Sequence, residues 1–209
     1  MLLYAITDRS WLKEGESLAG VCENVLKNGA TFLQIREKDL DGDAFEKEAG
    51  ELKELCGRYH VPFVVNDSVE IAMDIGADGV HVGQSDIRGR DIRAMIGPDK
   101  ILGISAGTVE EARAAENAGA DYIGVGAVFG TSTKKDARNL TIEKLQEISG
   151  SVSIPVVAIG GINRGNVKEL KGSGVYGIAV ISAIFAAEDP GQAARELLEL
   201  SKETVYGNE

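Results

Sequence analysis

Acidic and basic side chains recur just after short apolar runs, and their types suit a magnesium-bound diphosphate. One such run closes with Gln34-Ile35-Arg36-Glu37-Lys38, where alternation puts Gln34, Arg36 and Lys38 on one side and Glu37 on the other. The planar fork of Arg makes paired hydrogen bonds to phosphate oxygens, and Lys adds a point charge. Taken alone, the stretch reads equally well as an ordinary polar strand exit. The next two apolar runs end in Asn66-Asp67-Ser68 and Gly83-Gln84-Ser85-Asp86. For either Asp67 or Asp86 alone, capping the helix that follows is the simpler reading. Together, beside Arg36 and Lys38, they favour Mg²⁺, which takes one or two carboxylates plus phosphate oxygens and water.

Later runs end differently. Ser105, in Gly103-Ile104-Ser105, is either a substrate donor or a plain loop hydroxyl, and Thr108 has the position of a helix cap. Thr131-Ser132-Thr133-Lys134-Lys135 lies in a long loop behind Gly130, and three hydroxyls followed by two lysines suit an anion-binding lid. Gly160-Gly161 and Ser182 follow the last two runs, where backbone N–H groups and a helix N-terminus commonly hold a phosphate monoester. His60 ends a helical pattern before Val61-Pro62, and His81 sits inside an apolar run, so both read as structural. The sequence contains no Cys/His spacing of the zinc type and no nucleophile–His–Asp set.

The elements that must position these residues alternate from end to end. Strands are expected at Leu2–Thr7, Phe32–Arg36, Phe63–Asn66, Gly79–Gly83, Ile101–Ser105, Tyr122–Val128, Val156–Gly160 and Gly177–Ser182. Helices are expected after each, over 16–28, 42–60, 68–75, 88–96, 108–118, 141–149, 163–172 and 190–205. Asn28-Gly29-Ala30, Gly76-Ala77-Asp78, Gly119-Ala120-Asp121 and, less regularly, Gly172-Ser173-Gly174 end a helix before every even strand, a repeat of two-unit blocks. Eight βα units without a composition break predict one domain over 1–209, a (β/α)8 TIM barrel, with an open doubly wound sheet as the alternative.

Composition agrees. The 209 residues hold 26 Gly but 4 Pro and 1 Trp, so the core must be aliphatic, as in parallel sheets buried on both faces. A net charge of -11 argues against nucleic acid or an anionic membrane as partner and leaves small phosphorylated substrates, held by local groups. Met1 to Asp8 reads as a first strand rather than a leader, and no apolar run reaches the length of a membrane span. Cys22 and Cys56 lie in helical patterns and read as buried thiols. A cytoplasmic protein is expected, and the oligomeric state stays open between monomer and homo-oligomer.

In order, these strand ends resemble the thiamine-phosphate synthase family over nearly the whole chain. The matching pieces are Tyr4-Ala5-Ile6-Thr7-Asp8, Gln34-x-Arg36-x-Lys38, Asn66-Asp67, His81-Val82-Gly83-Gln84-x-Asp86 and Gly103-Ile104-Ser105. Thr131-Ser132-Thr133-Lys134, Ala158-Ile159-Gly160-Gly161-Ile162 and Val180-Ile181-Ser182 complete the set. The resemblance implies a Mg²⁺-dependent transferase that joins 4-amino-2-methyl-5-hydroxymethylpyrimidine diphosphate to thiazole phosphate, releasing thiamine phosphate and diphosphate. It implies that Gln34, Arg36, Lys38, Asn66, Ser105 and Lys134 contact the pyrimidine diphosphate and that Asp67 and Asp86 ligate the metal. Thr131, Ser132, Thr133, Gly161, Ile181 and Ser182 would hold the thiazole phosphate, with Arg36, Lys38 and Lys134 as the catalytic charges. It also implies that the diphosphate leaves first, giving a resonance-stabilised pyrimidine methylene cation that the thiazole nitrogen captures.

The chain departs from the family pattern where Ala127 and Gly130 replace prolines flanking the Phe129 position. Two rival functions share the barrel. A thiazole tautomerase needs no Mg²⁺ or diphosphate clamp, and Ala127 stands near where that branch is expected to carry an acid/base His. A non-catalytic thiamine-phosphate sensor has little use for a carboxylate pair at the leaving-group site.

Overall fold

The computed structural model describes residues 1–38, 40–130 and 140–207. Eight parallel strands close into a barrel in chain order, so the open sheet is excluded: β1 (Leu3–Ile6), β2 (Phe32–Ile35), β3 (Phe63–Asn66), β4 (Gly79–Val82), β5 (Ile101–Ala106), β6 (Tyr122–Gly126), β7 (Val156–Ile159) and β8 (Gly177–Val180). β8 returns to β1 through the pairs Leu3–Ile178, Tyr4–Ala179 and Ala5–Val180. The helices between strands are α1 (Leu18–Lys27), α2 (Gly42–Tyr59), α3 (Val69–Asp74), α4 (Ile92–Ile96), α5 (Val109–Asn117) and α6 (Ile142–Ser149). After β8 come α7 (Ser182–Phe185) and α8 (Pro190–Tyr206).

Alternation along each strand divides the apolar residues into two layers. Leu3, Leu33, Ile35, Val65, Val80, Leu102, Ile104, Ile123 and Val125 join the helix-facing core. Tyr4, Ile6, Phe32, Val64, Tyr122, Val157 and Ala179 fill the barrel interior. Tyr4 meets Phe32 edge-on at 4.6 Å between ring centroids, and Phe32 meets Tyr122 at 5.8 Å. These aromatics plug the interior, which is a packed core rather than a pore. Burial pushes the Cys56 thiol up to about 12 and the Cys22 thiol well above its ordinary range, so both stay protonated inside the α1–α2 layer.

The two-unit repeat has a physical content beyond its glycines. In three of the blocks, the residue just before an even strand reaches back to an N–H at the start of the odd strand beside it. Leu3 N donates to Thr31 Oγ1 at 3.0 Å, Phe63 N to Asp78 Oδ2 at 2.8 Å, and Leu102 N to Asp121 Oδ2 at 2.7 Å. Each of these three blocks therefore pins the amino end of its own strand pair, and Gly29, Gly76 and Gly119 turn the chain into it at positive φ.

The unit after β7 differs from expectation. In place of a helix over 163–172 there is one 3-10 turn, Val167–Leu170. Asn163 Oδ1 accepts from Gly165 N at 2.8 Å, and Asn166 Oδ1 accepts from Asn163 N at 2.8 Å. Asparagine side chains thus close this segment into side-chain turns ahead of Val167. The short α7, which the sequence reading did not separate from its surroundings, begins at Ser182.

His81, Gly103 and Tyr122 are register neighbours across β4, β5 and β6. A methyl added at Gly103 would overlap the Tyr122 ring and hydroxyl and the His81 ring. Gly103→Ala is expected to cost about 1–3 kcal/mol in urea unfolding. Gly50→Ala, in α2 with open space at its Cα, is expected to be neutral or to stabilise by up to about 1 kcal/mol.

Candidate active site

The carboxyl ends of the strands share one rim, and Arg36 sits just past β2 with 8 % of its surface exposed. Its backbone N–H donates to Thr7 Oγ1 at 2.9 Å, while Thr7 N donates to Gln34 O at 3.0 Å, so the exits of β1 and β2 are laced together. Among the described residues no carboxylate pairs with the Arg36 guanidinium. A mostly buried arginine with no carboxylate pair among the described residues suits an anionic ligand.

Glu37 faces the other way, as alternation requires. Its carboxylate accepts from Arg9 Nε at 2.8 Å, and Arg9 Nη2 reaches Glu48 of α2 at 2.5 Å. The pair ties the loop after β1 to the exit of β2, and the Glu37 side chain is 1 % exposed. Lys38 is exposed, whereas Arg36 is buried.

Neither aspartate is spent on the cap that the simpler reading gave it. Ser68 caps α3, accepting from Ile71 N at 3.2 Å, and Asp91 caps α4, accepting from Ala94 N at 3.0 Å. Asp67 stands between Asn66 and that cap at φ 63, a left-handed conformation that Asp tolerates better than most residues. Asp86 closes a turn in which its Oδ2 accepts from Gly83 N at 2.8 Å. Since Asn66 pairs with His81 in register, the two carboxylates leave neighbouring strands at the same end. Hard oxygen donors at two adjacent exits, one of them already oriented by a backbone N–H, form a set that fits Mg²⁺.

The interior below this rim is polar on one side. Gln34 Nε2 donates to Asn66 Oδ1 at 2.6 Å, His81 Nε2 lies 3.0 Å from Ser105 Oγ, and Gln84 Nε2 donates to Ser105 O at 2.7 Å. The structure thus connects Gln34 to Asn66 directly, and places Ser105 beside His81. Thr108 caps α5 as its position suggested, accepting from Glu111 N at 3.1 Å.

On the opposite side, the exit of β6 is stitched to β7. Val128 N donates to Ile159 O and Phe129 N to Gly160 O, both at 3.0 Å. Gly160 and Gly161 have φ 101 and 68, and a side chain at either would overlap Ala127 or Gly130. Packing alone therefore demands glycine at both positions. Gly161 O accepts from Asn163 Nδ2 at 3.1 Å and Asn166 Nδ2 at 3.0 Å. Ile181 stands at the N-cap of α7 and Ser182 begins it, so first-turn N–H groups of α7 emerge beside β8. Thr131, Ser132, Thr133 and Lys134 lie outside the described residues.

The sequence does not mark Arg9, Tyr4, Tyr122 or His81 as parts of the site. Tyr4 and Tyr122 look like ordinary core aromatics in their strands, and a signal for Tyr122 existed only in Gly103 opposite it. Removing Arg9 with Arg9→Ala should destabilise the fold by about 1–3 kcal/mol in urea unfolding, because Glu37 keeps its buried charge and loses a partner. A change within about 0.5 kcal/mol, the range of ordinary surface substitutions, would contradict the anchoring role.

Residues 3–184 match the family model described as thiamine monophosphate synthase. The thiamine-phosphate synthase of Clostridium tetani is 47% identical over 195 residues, 93% of each chain. That of Ruminiclostridium cellulolyticum is 48% identical over 198 residues, covering 95% of this chain and 94% of the relative. Among solved structures, thiamine phosphate pyrophosphorylase from Pyrococcus furiosus superposes with a TM-score of 0.88 at 41% identity, over 98% of this chain and 96% of that one.

Proposed function

The chain belongs to the thiamine monophosphate synthase family, and from that premise we propose how its strand ends divide the work. The reaction condenses 4-amino-2-methyl-5-hydroxymethylpyrimidine diphosphate with thiazole phosphate to give thiamine phosphate and diphosphate. One bond breaks, between the pyrimidine methylene carbon and the diphosphate oxygen, and one forms, between that carbon and the thiazole nitrogen. The leaving group takes the electron pair, so the protein needs to stabilise its growing negative charge more than to supply a nucleophile.

Arg36 does this in the present reading, with Lys38 and Lys134 adding charge from the rim and from the loop after β6. The observation that carries the assignment is Arg36, a residue 8 % exposed that pairs with no carboxylate among the described residues. Gln34, Asn66 and Ser105 orient the pyrimidine over the aromatic plug of Tyr4, Phe32 and Tyr122. That dry floor keeps water from the methylene cation while it lives. Asp67 and Asp86 would hold Mg²⁺, which when bound neutralises diphosphate charge. Across the rim, the backbone at Gly161, Ile181 and Ser182 holds the thiazole phosphate, joined by Thr131, Ser132 and Thr133.

Steady-state assays should find Arg36→Ala and Lys134→Ala slowed by roughly tenfold or more, the scale of losing one preorganised charged contact. Near-wild-type turnover in both variants would overturn the division of roles. Chelation with EDTA should abolish turnover and added Mg²⁺ restore it, while binding of thiazole phosphate survives chelation. Full activity in EDTA would remove Asp67 and Asp86 from the metal role.

A further inference from the structure

A run of hydrogen bonds crosses the barrel interior and joins two groups of the pyrimidine site. Tyr4 donates its hydroxyl to Gln34 Oε1 at 2.5 Å, and Gln34 Nε2 donates onward to Asn66 Oδ1 at 2.6 Å. In the other direction, the Tyr4 and Tyr122 hydroxyls are 2.8 Å apart, and the Tyr122 hydroxyl lies 2.9 Å from His81 Nδ1. His81 Nε2 then lies 3.0 Å from Ser105 Oγ. Tyr4, Gln34 and Tyr122 are each at most 2 % exposed, so every polar group here must be satisfied within the chain of bonds.

Proton counting gives the chain a direction. Burial pushes both phenols far above their ordinary range, and each keeps its single proton. With the Tyr4 proton on Gln34, Tyr122 must donate to Tyr4. The Tyr122 proton is then spent, so His81 Nδ1 must donate to Tyr122. A neutral imidazole carries one ring proton and accepts at its other nitrogen. The proton in the last contact is therefore that of the Ser105 hydroxyl, and Ser105 Oγ keeps only lone pairs for the site.

We propose that Tyr4, Tyr122 and His81 are positioning residues that make Ser105 a pure acceptor, so that it takes the 4-amino group of the pyrimidine and selects against a 4-oxo ring. The proposal rests on the reading above that Ser105 contacts the pyrimidine. It adds a reason for the specificity. The ends of the chain present opposite polarity, amide N–H from Asn66 and lone pairs from Ser105. An aminopyrimidine offers the matching pair, ring-nitrogen acceptors and an amino donor. A 4-oxo ring would set its oxygen against the Ser105 lone pairs, and a site built for one donor rejects an analogue that lacks it. Turning over the Gln34 and Asn66 amides would reverse every bond, put a proton on His81 Nε2 and aim the Ser105 proton at the substrate. The two directions therefore differ in one observable.

Wild-type protein labelled with ¹⁵N-histidine reads that observable without any variant in the site. His60 and His81 are the two histidines, and His60→Asn assigns their signals. The expected spectrum has His81 protonated on Nδ1 and bare on Nε2, and any proton on Nε2 overturns the proposal. In Tyr122→Phe, His81 loses its Nδ1 acceptor. It should move to the Nε2–H tautomer, raising KM for the aminopyrimidine diphosphate roughly 10- to 100-fold and eroding discrimination against the 4-oxo analogue by a similar factor. The KM for thiazole phosphate should not change. A Tyr122→Phe enzyme with unaltered pyrimidine KM and unaltered selectivity would also overturn the proposal, whereas a residue acting only in packing would lower stability and leave tautomer and selectivity alone. A wild type that forms no thiamine phosphate fails the underlying functional reading; an active wild type carrying His81 Nε2–H fails this inference alone.

Discussion

An arginine mostly buried at the rim of a barrel, paired with no carboxylate among the described residues, is the condition to which the rest of the site answers. Arg36 is mostly buried and paired with no carboxylate among the described residues, and the diphosphate proposed above would supply its counter-charge. Its neighbours hold it there. Thr7 takes its backbone N–H, and Glu37, one residue on, spends its carboxylate on Arg9 rather than on Arg36. Had the strand exit been shifted by one residue, the acid would face the site and the base the helix layer. The closed register of β1 with β2 and β8 prevents that shift.

The barrel supplies two unlike sectors at one rim. After β2, β3 and β4 come the cation and the carboxylates. After β7 and β8 come glycine backbone and the start of α7. The loop after β6 is tied to the second sector through Val128 and Phe129, and in chain order Lys134 lies between the two sectors. This layout suits a reaction with two anionic substrates and one departing anion. A single phosphate site serving an isomerase would leave the first sector without a purpose.

Much of this was legible from local pattern. Eight alternating apolar runs and the Gly-Ala-Asp turns at Gly76 and Gly119 specify βα units, and the ordered strand exits specify the family. Local pattern failed where side chains overruled it or where partners were far apart. Asn163 and Asn166 close side-chain turns where a helix was expected, leaving one 3-10 turn, a local preference that apolar periodicity does not register. The bond from Tyr4 to Tyr122 spans 118 positions and that from Arg9 to Glu48 spans 39, distances at which one sequence carries no pairing information. The glycine pair Gly160-Gly161 points to a phosphate from sequence, yet packing against Ala127 and Gly130 already demands it.

The most direct measurement is to mix the wild-type chain with both substrates and Mg²⁺ and quantify thiamine phosphate and diphosphate together. The account predicts that the two appear in equal amounts, at a rate proportional to enzyme. Absence of both, with thiazole phosphate still bound, would contradict it and favour a tautomerase or a sensor on the same barrel.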